Sequence, residues 1–288
     1  IAPTQEECDY LIQEIGVLPE FVKASLDEEE SSHIDHDEDE GQTLVIVDYP
    51  NADEDENTDE NTLLYTTLPL GVIIMKGCIV TISLYDNLNI EDMAKGRIKG
   101  MNTDLKTRFL LLLLLKISQR FLIYLRQIDR VSSRTERNLH QSMKNKELIQ
   151  MLGLEKSLVY FSTSLKSDEV TLNKIMRGKL IKLYEEDHDI LEDVMIEIHQ
   201  AIEMCNIYSG ILSGTMDAFA SVISNNLNIV MKVLTVITIV MAIPNIIFSF
   251  YGMNVEGLPI PQWWFPTLVA IIACVIATFI FKKKDMFH

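Results

Sequence analysis

The chain has 288 residues and a formal net charge of −17, long enough for a soluble domain with a membrane segment attached. The charge is uneven: Ala24 to Met75 hold sixteen Asp or Glu and no Lys or Arg, which argues against nucleic acid or anionic lipid as a partner of that stretch. Cys8, Cys78, Cys205 and Cys274 show no C-x-x-C spacing, so neither a disulfide framework nor a thiolate zinc site is expected.

Residues 1–102 predict a cytoplasmic α/β domain. Pro19-Glu20-Phe21 marks a helix start, with proline in the first turn. Leu44–Val47, Leu63–Leu68, Val72–Met75 and Cys78–Ser83 predict strands, rich in Val, Ile, Thr and Leu and punctuated by Gly71 and Gly77. The acidic runs Asp35–Glu40 and Asp53–Glu60 read either as solvated, partly disordered loops or as belts that gather cations.

Residues 103–230 predict a helical bundle and stalk, with apolar positions at Leu105, Phe109 and Leu112. The six leucines Leu110–Leu115 lie between Arg108 and Lys116; they are too few for a membrane span and predict a buried seam of a soluble helix. Gly153 and Gly178 are the expected breaks. A single helix from about Leu180 to Gly252 would extend on the order of 105–110 Å at 1.5 Å per residue, and it would need partners along its length.

Two spans follow. Val233 to Met253 is a 21-residue uncharged run within residues 231–254, and Trp263 to Phe281 is a second within residues 263–288. Both reach the roughly 20 residues that a bilayer core of about 30 Å requires. Residues 255–262 form the short loop between them. Lys232 and Lys282-Lys283-Lys284 flank the pair, which predicts cytoplasmic termini, an extracellular loop with Glu256 as its charge, and Trp263 and Trp264 at the outer interface. The expected place is a cell membrane, with lipid around the hairpin.

Stepping from Met231 by four and three gives Thr235, Thr238, Ala242, Asn245, Ser249 and Gly252; stepping backward gives Asn228, Ser224, Ser221 and Asp217. These positions share one face of a helix of 3.5-residue period. Such a stripe is either a small-residue packing seam between membrane helices or a water-facing pore wall. Two spans cannot enclose a pore, so the second reading requires a cyclic oligomer with this helix around the axis. Met231 and Leu234 would then form an apolar constriction that gates by dewetting. Pro244 frees the Val240 carbonyl, giving a kink or a contact for a hydrated ion.

The run Tyr251-Gly252-Met253-Asn254, closing the first span and followed by a short acidic loop, a second span and a basic tail, resembles the signature of the CorA-type magnesium transport family. Asn225 to Thr235 is similar to that family's pore entrance. A second Gly-Met-Asn at Gly100-Met101-Asn102 has no span before it and carries no such meaning. The resemblance implies a homopentamer of α+β chains: an N-terminal α/β domain, a long helical stalk and a two-helix membrane hairpin in a funnel. It implies that Gly252, Met253 and Asn254 form the outer mouth for hydrated Mg2+, an ion that keeps its waters, with Asn245, Asn228 and Asp217 further in and Glu256 concentrating cations outside. It also implies transport without ATP, and gating by intracellular divalent cations. Asp193 matches the stalk-helix regulatory acid. The segment Phe21–Leu26, where its partner is expected, carries no carboxylate; Asp27 and Glu28 are substitutes a turn later, and Asp189 with Glu185, Glu186, Asp187 and His188 is another acidic group. Met253 favours the magnesium branch over the zinc branch of the fold. Co2+, Ni2+ or Zn2+ transport, or a membrane-anchored divalent-cation sensor or scaffold, are the alternatives. No catalytic constellation points to an enzyme.

Overall fold

The computed structural model describes residues 1–53, 64–98, 100–142, 145–178, 180–253, 257, 259–260 and 262–284. It separates into two compact units, Ile1–Thr215 and Met216–His288.

In the first unit, helices α1 (Gln5–Tyr10) and α2 (Pro19–Ser25) precede four strands. These are β1 (His33–Asp37), β2 (Gln42–Asp53), β3 (Leu64–Ile74) and β4 (Ile79–Ser83), joined in that order as an antiparallel sheet. A short helix α3 (Leu88–Ala94) leads to the long helices α4 (Lys106–Ser142) and α5 (Asn145–Met176), and α6 (His188–Tyr251) begins in this unit. Thr4 caps α1 by accepting from the Glu7 N–H while Glu7 accepts from the Thr4 N–H, a reciprocal capping box. Pro19 opens α2 as the sequence predicts.

Burial covers both faces of the central strands. Leu44, Ile46, Ile73 and Ile82 pack with Phe21, Val22, Val17 and Cys8 from the N-terminal helices. Val45, Val47, Leu70 and Val72 are buried as well, and α4 and α5 lie against β2 and β3. Successive side chains point to opposite faces, so the sheet is a middle layer between two layers of helix. The leucine run of α4 is a soluble seam: Leu110, Leu111, Leu113 and Leu114 are all buried.

The strand pair β2–β3 outruns its neighbours. β1 pairs only with Gln42–Ile46, and β4 only with Leu70–Ile74. Beyond those points the edge N–H groups find partners on α5. The Asp48 N–H donates to Asp168 Oδ1 at 3.0 Å, and the Tyr65 N–H donates to Ser157 Oγ at 2.9 Å. Ser164 Oγ reaches Thr67 Oγ1 at 2.8 Å, and Ser32 Oγ reaches Thr171 Oγ1 at 2.9 Å. Buried Ser157, Ser164, Asp168 and Thr171 therefore form a polar row along α5, on a helix whose Leu154, Leu158, Phe161 and Leu165 are also buried.

Several expectations are corrected. Residues 33–37 are strand β1, and Asp37 Oδ1 accepts from the Glu40 N–H at 2.7 Å in the turn that follows, so this acidic run is an ordered hairpin. Only Asp53 of the second acidic run belongs to the described residues. Leu64–Leu68 and Val72–Ile74, expected as two strands, are parts of one strand, β3, running through Pro69 and Gly71, while Leu63 lies outside the described residues. Gly153 lies inside α5, which begins at Asn145, while Gly178 does follow the end of α5 with φ +65°. The long helix starts at His188, not Leu180, after a turn in which Asp187 Oδ2 accepts from the Tyr184 N–H at 3.2 Å.

In the second unit, residues of α6 pair with α7 (Trp264–Lys283). Both helices are long and apolar enough to cross a membrane. Only 6% and 11% of their most apolar windows are buried, where a soluble core helix would be mostly buried.

Candidate functional site

Within the second unit the hairpin has a seam. On α6, Val236 is buried and Val233, Val240, Ile243, Ile247 and Tyr251 are half-buried; on α7, Pro266 and Ala270 are buried and Ala273, Cys274 and Ala277 are half-buried. The α6 members recur at three and four residues, as a helix–helix contact requires.

The polar stripe lies elsewhere. Asp217, Ser221, Ser224, Asn228, Met231, Thr235, Thr238, Ala242, Asn245, Ser249 and Gly252 are all exposed. At 100° per residue the centre of this stripe is about 150° from the centre of the α7-facing seam. A packing seam within one chain is thereby ruled out for the stripe, and its polar groups stand on the face that α7 leaves open. Leu234 is exposed beside them.

The hydroxyls on this face are oriented by their own helix. Thr235 Oγ1 donates to the Met231 carbonyl at 2.7 Å and Thr238 Oγ1 to the Leu234 carbonyl at 2.8 Å. Each hydroxyl has spent its one proton, so it offers only oxygen lone pairs outward. Such oxygens suit a cation or the water protons around it.

Pro244 has the opposite outcome to an ion contact. Its missing N–H frees the Val240 carbonyl, and the thiol of Cys274 on α7 approaches that oxygen at 3.7 Å. Val240 belongs to the seam, so this carbonyl is turned to the neighbouring helix and away from the stripe.

At its far end α6 stops at Tyr251, and the Gly252 N–H still donates to the Phe248 carbonyl at 2.9 Å. A Cβ on Gly252 would sit 3.2 Å from that oxygen, tighter than ordinary contact. The terminal carbonyls give this end of the helix a partial negative charge, which favours a cation. The Tyr251 hydroxyl donates to the Pro259 carbonyl at 3.0 Å, and its ring meets Phe265 edge-on at 6.2 Å. This tie between the helix end and the loop was not visible in the sequence, because Tyr251 reads there only as part of the signature. Asn254 and Glu256, expected at the mouth, lie outside the described residues. The second Gly-Met-Asn is a local turn: Gly100 has φ +77°, and Asn102 Oδ1 accepts from the Asp104 N–H at 3.0 Å.

In the first unit, Asp189 and Asp193 are exposed on α6, and Asp27 and Glu28 are exposed just after α2. Asp27 Oδ1 accepts from the Glu29 N–H at 3.0 Å, and Glu28 accepts from the Tyr85 hydroxyl beside an open cavity that Asn51, Thr66 and Asp86 also line. The group around Asp189 is divided: Asp187 is buried as a turn cap, and Glu186 lies 3.6 Å from Arg108. Among the described residues no three His, Cys, Asp or Glu side chains of one chain gather as metal ligands.

Sequence reasoning missed the acidic pair Asp48 and Asp168. Both carboxyls are held above the usual carboxylate range, chiefly by burial, and for Asp168 also by the neighbouring Asp48.

The chain matches the family model described as CorA-like Mg2+ transporter protein over residues 1–283. It is 30% identical to the cobalt/magnesium transport protein CorA of Methanocaldococcus jannaschii, over 98% of this chain and 88% of that one. It is 23% identical to the magnesium transport protein CorA of Helicobacter pylori, over 79% of this chain and 73% of that one. Among solved structures it is similar to the complete CorA magnesium transporter of Methanocaldococcus jannaschii, with a TM-score of 0.85 and 27% identity over 99% of this chain and 89% of that one. The full-length CmaX protein shares the fold at a TM-score of 0.70 and 16% identity, over 96% of this chain and 84% of that one.

Proposed function

The chain belongs to the CorA-like Mg2+ transporter family, and on that premise we propose that it is a homopentameric channel through which Mg2+ enters the cell down the membrane potential. As a family member it is a divalent-cation transporter of the membrane and not an enzyme. The observation that supports a channel is the exposed oxygen-bearing stripe on the α6 face that α7 leaves open.

Five α6 helices around an axis would turn that face inward. Thr235, Thr238, Asn245 and Ser249 then hold the water shell of the ion, since Mg2+ gives up its waters reluctantly. Gly252, Met253 and Asn254 form the outer mouth, and Glu256 raises the local cation concentration there. Met231 and Leu234 form the apolar constriction, with Asn228, Ser224 and Asp217 on its inner side. Both ends of the hairpin face the cytoplasm in this reading, which the basic flanks Lys232 and Lys282-Lys283-Lys284 support. A potential of 100 mV supplies about 2.3 kcal/mol per charge, hence about 4.6 kcal/mol for a divalent ion, and ATP is not required.

Intracellular divalent cations close the channel by neutralising carboxylates that face one another between subunits, with Asp193 and Asp189 on one side and Asp27 and Glu28 as the nearest candidates on the other. Like charges repel until a cation screens them.

Uptake of Mg2+ by proteoliposomes under an inside-negative potential tests the assignment. Asn254→Ala and Asn245→Leu are expected to reduce uptake at least tenfold, while Ile246→Val, beside the stripe, leaves it unchanged. Full uptake by both stripe variants, or a dimer by mass in detergent, would sink the pore.

A further inference from the structure

The buried acidic pair plays no part in the transport reading and stands in the first unit. Asp168 comes from α5 and Asp48 from β2, just past the point where β1 ceases to pair. Asp168 is 2% exposed and Asp48 9%. Asp168 Oδ1 accepts the Asp48 N–H at 3.0 Å, so the Asp168 carboxyl is fixed against the backbone of Asp48.

The groups that surround them are hydroxyls. Ser164 on α5 and Ser32, in the turn before β1, lie beside Asp48 and Asp168 and hold their carboxyls down less than burial pushes them up. Thr67 on β3 and Thr171 on α5 complete the ring through Ser164 and Ser32. Among the described residues no Lys, Arg or His forms an ion pair with either carboxyl. The charge that Asp168 meets is that of Asp48 itself.

Two carboxylates enclosed side by side without a cation cannot both be ionised at ordinary cost; such pairs keep a proton and titrate as a unit. We propose that Asp48 and Asp168 share one proton and act as a pH-responsive latch, which holds α5 on the β2–β3 ribbon and loosens as the pH rises. On release the proton passes to solvent and leaves two facing anions across the helix–sheet contact.

The sign follows from the linkage of protonation to folding. Both groups have folded-state pKa values above the ordinary range. Their contribution to stability is therefore complete in acid, below the unfolded value, and is lost as the pH climbs through the raised one.

The test uses the full chain in nanodiscs. Hydrogen exchange of β2 and α5 peptides, corrected for intrinsic rates, is followed from mildly acid to alkaline pH. Protection in the parent chain is expected to fall with rising pH by up to tenfold per pH unit, the limit for one proton. Asp168→Asn keeps an acceptor for the Asp48 N–H and supplies permanent donor protons, so its protection should not follow that slope. Equal slopes in parent and variant overturn the latch. Infrared spectroscopy gives a second reading that survives misfolding of the variant. The parent should show the carbonyl band of a protonated carboxyl at pH values where ordinary carboxyls are already ionised, fading on further alkalinisation, and its absence overturns the proposal.

Discussion

Gly71→Ala is the sharpest test of the packing that seats the N-terminal helices on the sheet. Gly71 sits mid-strand in β3, paired with Ile46 on one side and Ile82 on the other. An added Cβ would stand 2.0 Å from Ser25 Oγ, 2.5 Å from Ser25 Cβ and 3.4 Å from Ser25 Cα. Rotating the Ser25 hydroxyl removes the first clash but not the second, because the Cβ is fixed to the backbone of α2. The helix must move by about 1 Å to restore contact at the usual 3.5–4.0 Å between carbons. That shift disturbs Phe21 and Val22, both buried, and the rotation of Ser25 gives up the bond from its Oγ to the Phe21 carbonyl at 2.7 Å. Overpacking costs about 1–3 kcal/mol and the hydrogen bond about 1 kcal/mol, so a loss of about 2–4 kcal/mol is expected. Thermal unfolding of the full chain in detergent, followed by far-ultraviolet circular dichroism, measures it. Pairing Gly71→Ala with Ser25→Gly removes the clashing atoms and should recover at least half of the loss, as coupled neighbours do. A parent-like unfolding temperature for Gly71→Ala alone would refute the close approach. Asp27 and Glu28 follow α2 after Leu26, so under the proposed gating the same variant should also shift the response of uptake to internal Mg2+.

Tyr251→Phe removes the hydroxyl that ties α6 to the Pro259 carbonyl, worth about 1 kcal/mol, so half-saturation for Mg2+ uptake is expected to weaken roughly fivefold; an unchanged value would remove the tie from the mouth. Burial pushes the Cys205 thiol up to about 11, and its Sγ is 3.1 Å from the Leu158 carbonyl. At neutral pH a maleimide should therefore modify exposed Cys78 and spare Cys205, and equal labelling by mass spectrometry would contradict that burial.

The membrane hairpin was legible because its signal is composition and length, and both survive without a partner chain. The stripe was legible because 3.5-residue spacing is a property of one helix. Strand β1 was hidden: His33-Ile34-Asp35-His36-Asp37 contains one apolar residue, and pairing with β2 rather than side-chain pattern makes it a strand. Strand β3 reads as two in sequence because Gly71 signals interruption, and Pro69 lies beside it. Pro69 is tolerated because β4 begins pairing only at Leu70, so there is no ladder bond on that side to lose. Gly71 is required by α2, a contact that no local pattern announces. The same holds for Asp168: in sequence it is an unremarkable acid on a helix, and only the shortfall of β1 gives it the Asp48 N–H to accept.

The polar row on α5 also fixes where that helix stands along its axis. Apolar helices can slip by a turn and exchange one set of greasy contacts for another at modest loss. Ser157, Ser164, Asp168 and Thr171 cannot, because each must meet one particular N–H or hydroxyl on the ribbon or, for Thr171, on Ser32 before β1. The row works like the teeth of a key, and a one-turn slip would leave every tooth facing the wrong ward. Ser164 and Thr171 meet side-chain hydroxyls and are therefore expected to vary in pairs with Thr67 and Ser32, whereas Ser157 and Asp168 meet backbone N–H groups that no side-chain change removes, and should remain hydrogen-bond acceptors.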